Sequence, residues 1–245
     1  MLQQMFRVLP PVCKNLIIIN ILIWVTTWLF GDSAGITLET YAGLHYFSSS
    51  LFYPYQLITY MFVHANFMHL FFNMFALFMF GGLLERNLGS KRFLFYYLSC
   101  GLGAALIQEG FYAVTLHKYI GILDPDSLMT VQKEGANILR QGMNYVNPNL
   151  ANYNLLLNNA TVGASGAIYG ILLAFGMLYP NMPLYMMFIP IPIKAKWMVI
   201  GYALLELMLG MRNSVGDNVA HFAHLGGMLI GLIMILYWKN KRFIY

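Results

Sequence analysis

Charge is what this chain has least of. Asp, Glu, Lys and Arg make up 9% of its 245 residues, against about 25% in ordinary soluble domains. With 59% of residues hydrophobic, a chain of this size has too little polar surface to cover a wet exterior, so a soluble globular fold is excluded. Cysteine is scarcer still: Cys13 and Cys100 are the only two, which excludes a disulfide framework. The opening MLQQMFRVLPPVCK lacks the charged, apolar, small-residue order of a cleaved signal peptide, so the first apolar run is expected to stay. No internal repeat is visible, which leaves an inverted-repeat transporter without support. The net charge of +5 is spread over short flanks. That pattern speaks for membrane orientation and against a nucleic-acid partner.

What is present is a series of apolar runs, each near the ~20 residues a bilayer crossing needs. Six are read, at about 15–30, 67–84, 93–114, 162–179, 197–211 and 219–238. The expected fold is an all-α membrane protein, a six-helix bundle forming one membrane domain over residues 1–245. The fifth run is short and carries Glu206. Pro180, Pro183, Pro190 and Pro192 punctuate the link before it. A long loop, about 117–161, follows the third run, and its stretch from Ser127 to Tyr145 has helical character. Loops of that length in compact proteins are usually functional or disordered.

Arg7, Lys14, Arg86, Lys91, Arg92, Lys194, Lys196, Lys239, Lys241 and Arg242 fall on one side of such a bundle, ten of the fourteen basic residues. By the positive-inside rule that side, with both termini, is cytoplasmic. Runs two, four and six then cross from outside to inside, and their unusual polar residues share one depth. His69 and Asn73 lie in the first two turns of run two, Ser165 in the first turn of run four and His224 in the second turn of run six. At 1.5 Å per residue each sits roughly 5–10 Å below the outer end of its helix. Buried polar groups in a membrane face a cavity or one another, so an outward-opening pocket is expected.

Ser165 lies in Gly163-Ala164-Ser165-Gly166, where small neighbours can expose both its hydroxyl and its N–H. Small residues also serve merely to let helices approach. A serine needs a base, and a neutral imidazole such as His224 suits that work near pH 7. Gly227 and Gly231 form a small-xxx-small face that would press run six against run four. His69 and Asn73, four apart, share a helical face, and their donors together with the Ser165 N–H could converge on an oxyanion. With no Asp or Glu at this depth in runs two, four and six, the expectation is a Ser–His dyad without a third member.

The ordered set of motifs resembles the rhomboid intramembrane serine proteases. It comprises His69-Leu70-Phe71-Phe72-Asn73, Gly81-Gly82-Leu83-Leu84-Glu85-Arg86, Gly163-Ala164-Ser165-Gly166 with Tyr169, and Ala223-His224-Leu225-Gly226-Gly227 to Gly231. The resemblance implies a serine endopeptidase that cleaves transmembrane segments of protein substrates within the lipid bilayer, without a cofactor. Ser165 would be nucleophile, His224 base, His69, Asn73 and the Ser165 N–H the oxyanion hole, and Tyr169 would pack on the His224 ring. Family members admit substrate laterally near the fifth span and favour small side chains before the scissile bond. A bacterial inner membrane, with the site opening to the non-cytoplasmic side, is the expected location. The first loop lacks the family's Trp-Arg pair. A catalytically inactive rhomboid-like binding factor is the alternative, and a transporter or channel stands third.

The other conspicuous residues draw quieter expectations. His221 should be interfacial or hydrogen-bonding, and His64 and Asn66 should line the pocket mouth or bond loop backbone. Glu85 and Arg86 read as an ion pair or helix-end cap, and Glu109 and Glu206 as carboxylates snorkelling near helix ends. No metal is expected, because no carboxylate or thiol joins the histidines at their level.

Overall fold

The computed structural model describes residues 9–30, 38–186, 189–212 and 219–241; Arg7 and Arg242, counted above for orientation, lie outside them. Among the described residues, three helices are long and apolar enough to cross a membrane: α1 (Pro11–Phe30), the helix from Phe67 to Leu88, and α11 (His221–Asn240). The second comprises α4 (Phe67–Ala76), a π-helical turn over Leu77–Gly81, and α5 (Gly82–Leu88). With them pack α6 (Ser90–Ile120), the apolar α9 (Ser165–Leu178) and α10 (Ala195–Arg212). The third run thus extends to Ile120, beyond its expected end. Large apolar side chains face outward, among them Trp28, Phe30, Phe71, Phe75, Trp197 and Met208. An apolar surface of helices over an apolar packed interior suits a protein solvated by lipid, where each helix satisfies its own backbone.

α9 is the axle of the bundle. Helices α4, α5, α6, α10 and α11 all pack on it, and nine of its fourteen residues are buried. Its small residues permit that. A Cβ on Gly227 of α11 would stand 1.8 Å from the Gly166 carbonyl oxygen, so the two helices touch backbone to backbone. Tyr96 reaches across from α6 and donates its hydroxyl to the Gly170 carbonyl at 2.7 Å.

Glu85 works as a helix-end cap, though for a distant helix. Its carboxylate accepts from the Val12 and Cys13 N–H groups at 3.0 and 2.7 Å and from Ser90 Oγ at 2.6 Å. It thereby satisfies two of the orphan donors at the α1 N-terminus, where the helix dipole also favours negative charge.

The segments outside the long helices are more ordered than the sequence suggested. The long loop holds α7 (Pro125–Arg140), capped by Asp124, and α8 (Pro148–Asn158), capped by Asn147; Pro follows the cap in both. A satellite core of Tyr46, Leu116, Val131, Tyr153 and Leu157 holds this pair to the first loop. Buried Asn154 donates to Gly135 O and Asn144 Oδ1, and Asn158 accepts from Ser49 Oγ at 2.8 Å. Short helices Leu38–Ala42 (α2) and Gln56–Thr59 (α3) lie in the first loop, and Leu44 pairs with Thr161 just upstream of Ser165. The proline-punctuated link before α10 is an antiparallel hairpin, β1 (Pro183–Met186) and β2 (Ile189–Lys194), so the fold is not wholly helical.

Candidate active site

Asn66 starts α4, accepting the His69 N–H at 2.9 Å as N-cap, and so sets the rotation of that helix. His69 then lies over the chain before α9. Gly163 there has φ +121°, and a Cβ on it would stand 2.6 Å from His69 Nε2. Only glycine accommodates both the backbone and the ring. The Gly163 N–H is tied to Tyr60 O at 2.9 Å, and the chain turns into α9 at Ser165. As first residue of the helix, Ser165 keeps an N–H without an intrahelical acceptor, at the positive end of the dipole.

Close packing of α11 on α9 sets the next contact. His224 Nε2 lies 2.8 Å from Ser165 Oγ. Tyr169, one turn along α9, stacks on the His224 ring at 4.2 Å between centroids and 7° between planes. Asn73 is buried and donates from Nδ2 to His69 O at 2.9 Å, which leaves its second amide hydrogen. The structure therefore brings together Ser165, His224, His69, Tyr169, Gly163 and Gly227, with Asn73 one turn below His69. A hydroxyl this close to an imidazole nitrogen can pass its proton there and become a nucleophile.

A carboxylate joins them, contrary to expectation. Glu206 of α10 is buried, as are His221 and His224. It accepts the Tyr169 hydroxyl on Oε1, and its Oε2 lies 2.6 Å from His221 Nδ1 and 3.0 Å from His224 Nδ1. The His221 contact is an aligned hydrogen bond; the His224 contact is close but off line. Glu206 does not snorkel, and the site has a third ionisable member. Nor does Glu109 snorkel: it is buried and accepts the Phe47 N–H at 2.9 Å, tying α6 to the first loop. His221 is the hydrogen-bonding residue expected, and His224 alone of the two meets the serine. Glu206, His221 and His224 each offer one ligand atom within 4.8 Å of the others, so the carboxylate whose lack argued against a metal is present. Those atoms already contact one another. His64, buried before α4, sets its ring edge-on to His69 at 5.1 Å. Burial first, and the His69 ring second, push its pKa down to about 3.

A profile of the Rhomboid domain matches residues 52–121 and 138–241, which takes in every residue of this site. The chain belongs to the rhomboid family. This rhomboid is similar to the RHOMBOID-like protein 12, mitochondrial, of Arabidopsis thaliana, 28% identical over 77% of the chain and 48% of the relative. It is also similar to the Rhomboid-like protein 11, chloroplastic, of the same plant, at 26% over 77% and 53%. The Putative rhomboid protease YdcA of Bacillus subtilis (strain 168) is 32% identical over 40% of the chain and 49% of the relative. The chain spans about half the length of the curated relatives it matches. The plant proteins are named for organelles, so the bacterial inner membrane anticipated above gains no support from them.

Proposed function

We propose that this rhomboid is an intramembrane serine endopeptidase that cuts membrane-spanning segments of protein substrates. The observation that carries the reading is the 2.8 Å contact between Ser165 Oγ and His224 Nε2, under the stacked Tyr169 ring. In the reaction Ser165 Oγ attacks the scissile carbonyl carbon while Nε2 takes its proton. The C–N bond then breaks as His224 returns that proton to the leaving amine, and a water repeats the sequence to release the acyl group from Ser165. The Ser165 N–H, the His69 ring and the free Asn73 amide hydrogen are the donors for the oxyanion. The competing reading, an inactive binding factor, leaves the serine–imidazole contact without a use.

On this reading six helices cross the bilayer, namely α1, α4–α5, α6, α9, α10 and α11, with both termini cytoplasmic and the site opening on the other side. Helix α9, fourteen residues long, measures about 21 Å against a hydrocarbon core of ~30 Å. A helix that short ends inside the membrane, which recesses Ser165 to the depth of a substrate's own span. The test is covalent labelling of the purified protein in micelles by a fluorophosphonate, alongside cleavage of a reporter transmembrane substrate. Both should vanish in Ser165→Ala while the protein stays folded, since the change removes one hydroxyl at a small-residue position. Turnover near the unmodified rate in that variant would refute the proposal.

A further inference from the structure

The Ser165–His224 pair works as proposed only if His224 presents a bare Nε2 to the serine. A neutral imidazole carries its proton on either nitrogen, and something must choose. Tyr169 stacking fixes the plane of the ring and leaves that choice open, because the ring face is blind to which edge holds the proton. The choice is made at the opposite edge of the ring, where Nδ1 lies 3.0 Å from Glu206 Oε2.

An ionised carboxylate only accepts. Were His224 protonated on Nε2, its Nδ1 lone pair would face a carboxylate oxygen at van der Waals distance, and Nε2–H would point at the serine it must deprotonate. With the proton on Nδ1 both conflicts disappear. The carboxylate is itself held in place. Tyr169 donates to one of its oxygens and His221 to the other, at 2.6 Å for the latter. These donors come from α9 and α11, while Glu206 comes from α10, so three helices meet at one carboxylate. When His224 takes the serine proton, the resulting imidazolium lies against a fixed negative charge in a buried site, where that interaction is strong. Burying a lone carboxylate would be costly without such partners.

We infer that Glu206 is a positioning residue for the proposed base: it holds the His224 proton on Nδ1 and stabilises the imidazolium, while Tyr169 and His221 hold Glu206. The inference rests on the reading of Ser165 and His224 as nucleophile and base, and it makes the site a triad in which the carboxylate sits on a different helix from either partner.

Two measurements on the full chain in micelles test it. In Glu206→Gln, kcat for the reporter substrate should fall about 10²-fold with KM within about twofold. Buried triad carboxylates lose about 10⁴ on such a change; the loss here is smaller because the Nδ1 contact is off line and Tyr169 still orients the ring. Glu206→Asp, which keeps the charge, should recover at least tenfold of that loss. Histidine ¹⁵N NMR of the unsubstituted protein, with His224 assigned by its absence in His224→Ala, should show the neutral ring protonated on Nδ1. A kcat for Glu206→Gln within threefold of the unsubstituted protein, with Ser165→Ala inactive, overturns this inference and spares the protease reading. An active Ser165→Ala defeats the protease reading itself. Should the Gln variant fail to fold, the spectrum decides alone: an Nε2–H ring at His224 overturns the assignment, and an Nδ1–H ring supports it.

Discussion

Replacing Gly227 by alanine adds one methyl group where the structure has no room. The new Cβ would stand 1.8 Å from Gly166 O, 2.7 Å from Gly166 C and 3.4 Å from Gly166 Cα, so what it meets is backbone. No rotamer can relieve the clash. Restoring ordinary contact requires α11 and α9 to part by about 1.5 Å, in keeping with the close packing of protein interiors. Gly166 adjoins Ser165, and Gly227 lies one turn from His224, so the separation falls on the Ser165–His224 contact. From 2.8 Å that contact would open to about 4 Å, beyond proton-transfer reach. A misplacement of about 1 Å can cost ~10² in rate, and overpacking of this kind destabilises by about 1–3 kcal/mol. The expected Gly227→Ala protein therefore loses at least ~10² in kcat and melts several degrees lower. Turnover of a reporter substrate, fluorophosphonate labelling and a thermal melt measure both effects. Gly201→Ala on α10 is the control, because a Cβ there meets nothing within 4 Å; it should leave activity and melting unchanged. A Gly227→Ala protein with unaltered kcat and melting would mean that the helices do not touch at Gly166, and the derived active-site geometry would fall with them.

His224→Ala should be as inactive as Ser165→Ala, since nucleophile and base act as a unit and their losses do not add. His221→Ala, which loses one support of Glu206 but no contact with Ser165, should keep a measurable fraction of kcat; reversed behaviour would shift the α11 register by a turn. Asn73→Ala should lose about 10²–10³ in kcat, as removal of one oxyanion donor does; a raised KM with unchanged kcat would reassign that face to substrate binding. Acid should destabilise the fold through His64. Its folded pKa, about 3, lies below the ordinary 6.5, so the unfolded chain takes up the proton first. The stability is full above pH 6.5 and falls by ~1.4 kcal/mol per unit towards pH 3. Melting temperatures at pH 7.5 and 5.0 should therefore differ less for His64→Asn than for the unsubstituted protein; equal slopes would show that His64 is not kept neutral by burial.

Ser165 and His224 were legible because each sits in a local pattern, a run of small residues in one case and a glycine ladder in the other. A shared depth in neighbouring helices linked them. Tyr169 followed from family resemblance, and the structure stacks it on the His224 ring. Glu206 was not legible as a partner of His224. It is 18 positions away on the short fifth run, and sequence periodicity says nothing about which side chain of another helix arrives at a given edge of a ring. A default suspicion of any carboxylate inside an apolar run would have found it. The stretch read as helical, Ser127 to Tyr145, overlaps most of α7, and only its far end, 141–145, is not helix; α8 went unread, although Asn147-Pro148 is a helix-start signal. The hairpin before α10 was hidden for a different reason: proline marks a break in a helix without saying that the broken chain will pair with itself.

The π-helical turn at Leu77–Gly81 has a consequence for the long helix that contains it. Asn73 and Glu85 are twelve positions apart, and on an unbroken α-helix their side chains would diverge by about 120° around the axis. A turn that takes up one extra residue cancels about 100° of that angle and brings both to nearly the same azimuth. The N-terminal half of the helix can thus turn Asn73 into the packed interior while the C-terminal half turns Glu85 to the start of α1. The wide turn is a phase adjuster between two independent tasks. Deleting any one residue within it would leave the N-terminal half in place and swing Glu85 about 100° away from the N–H groups it caps.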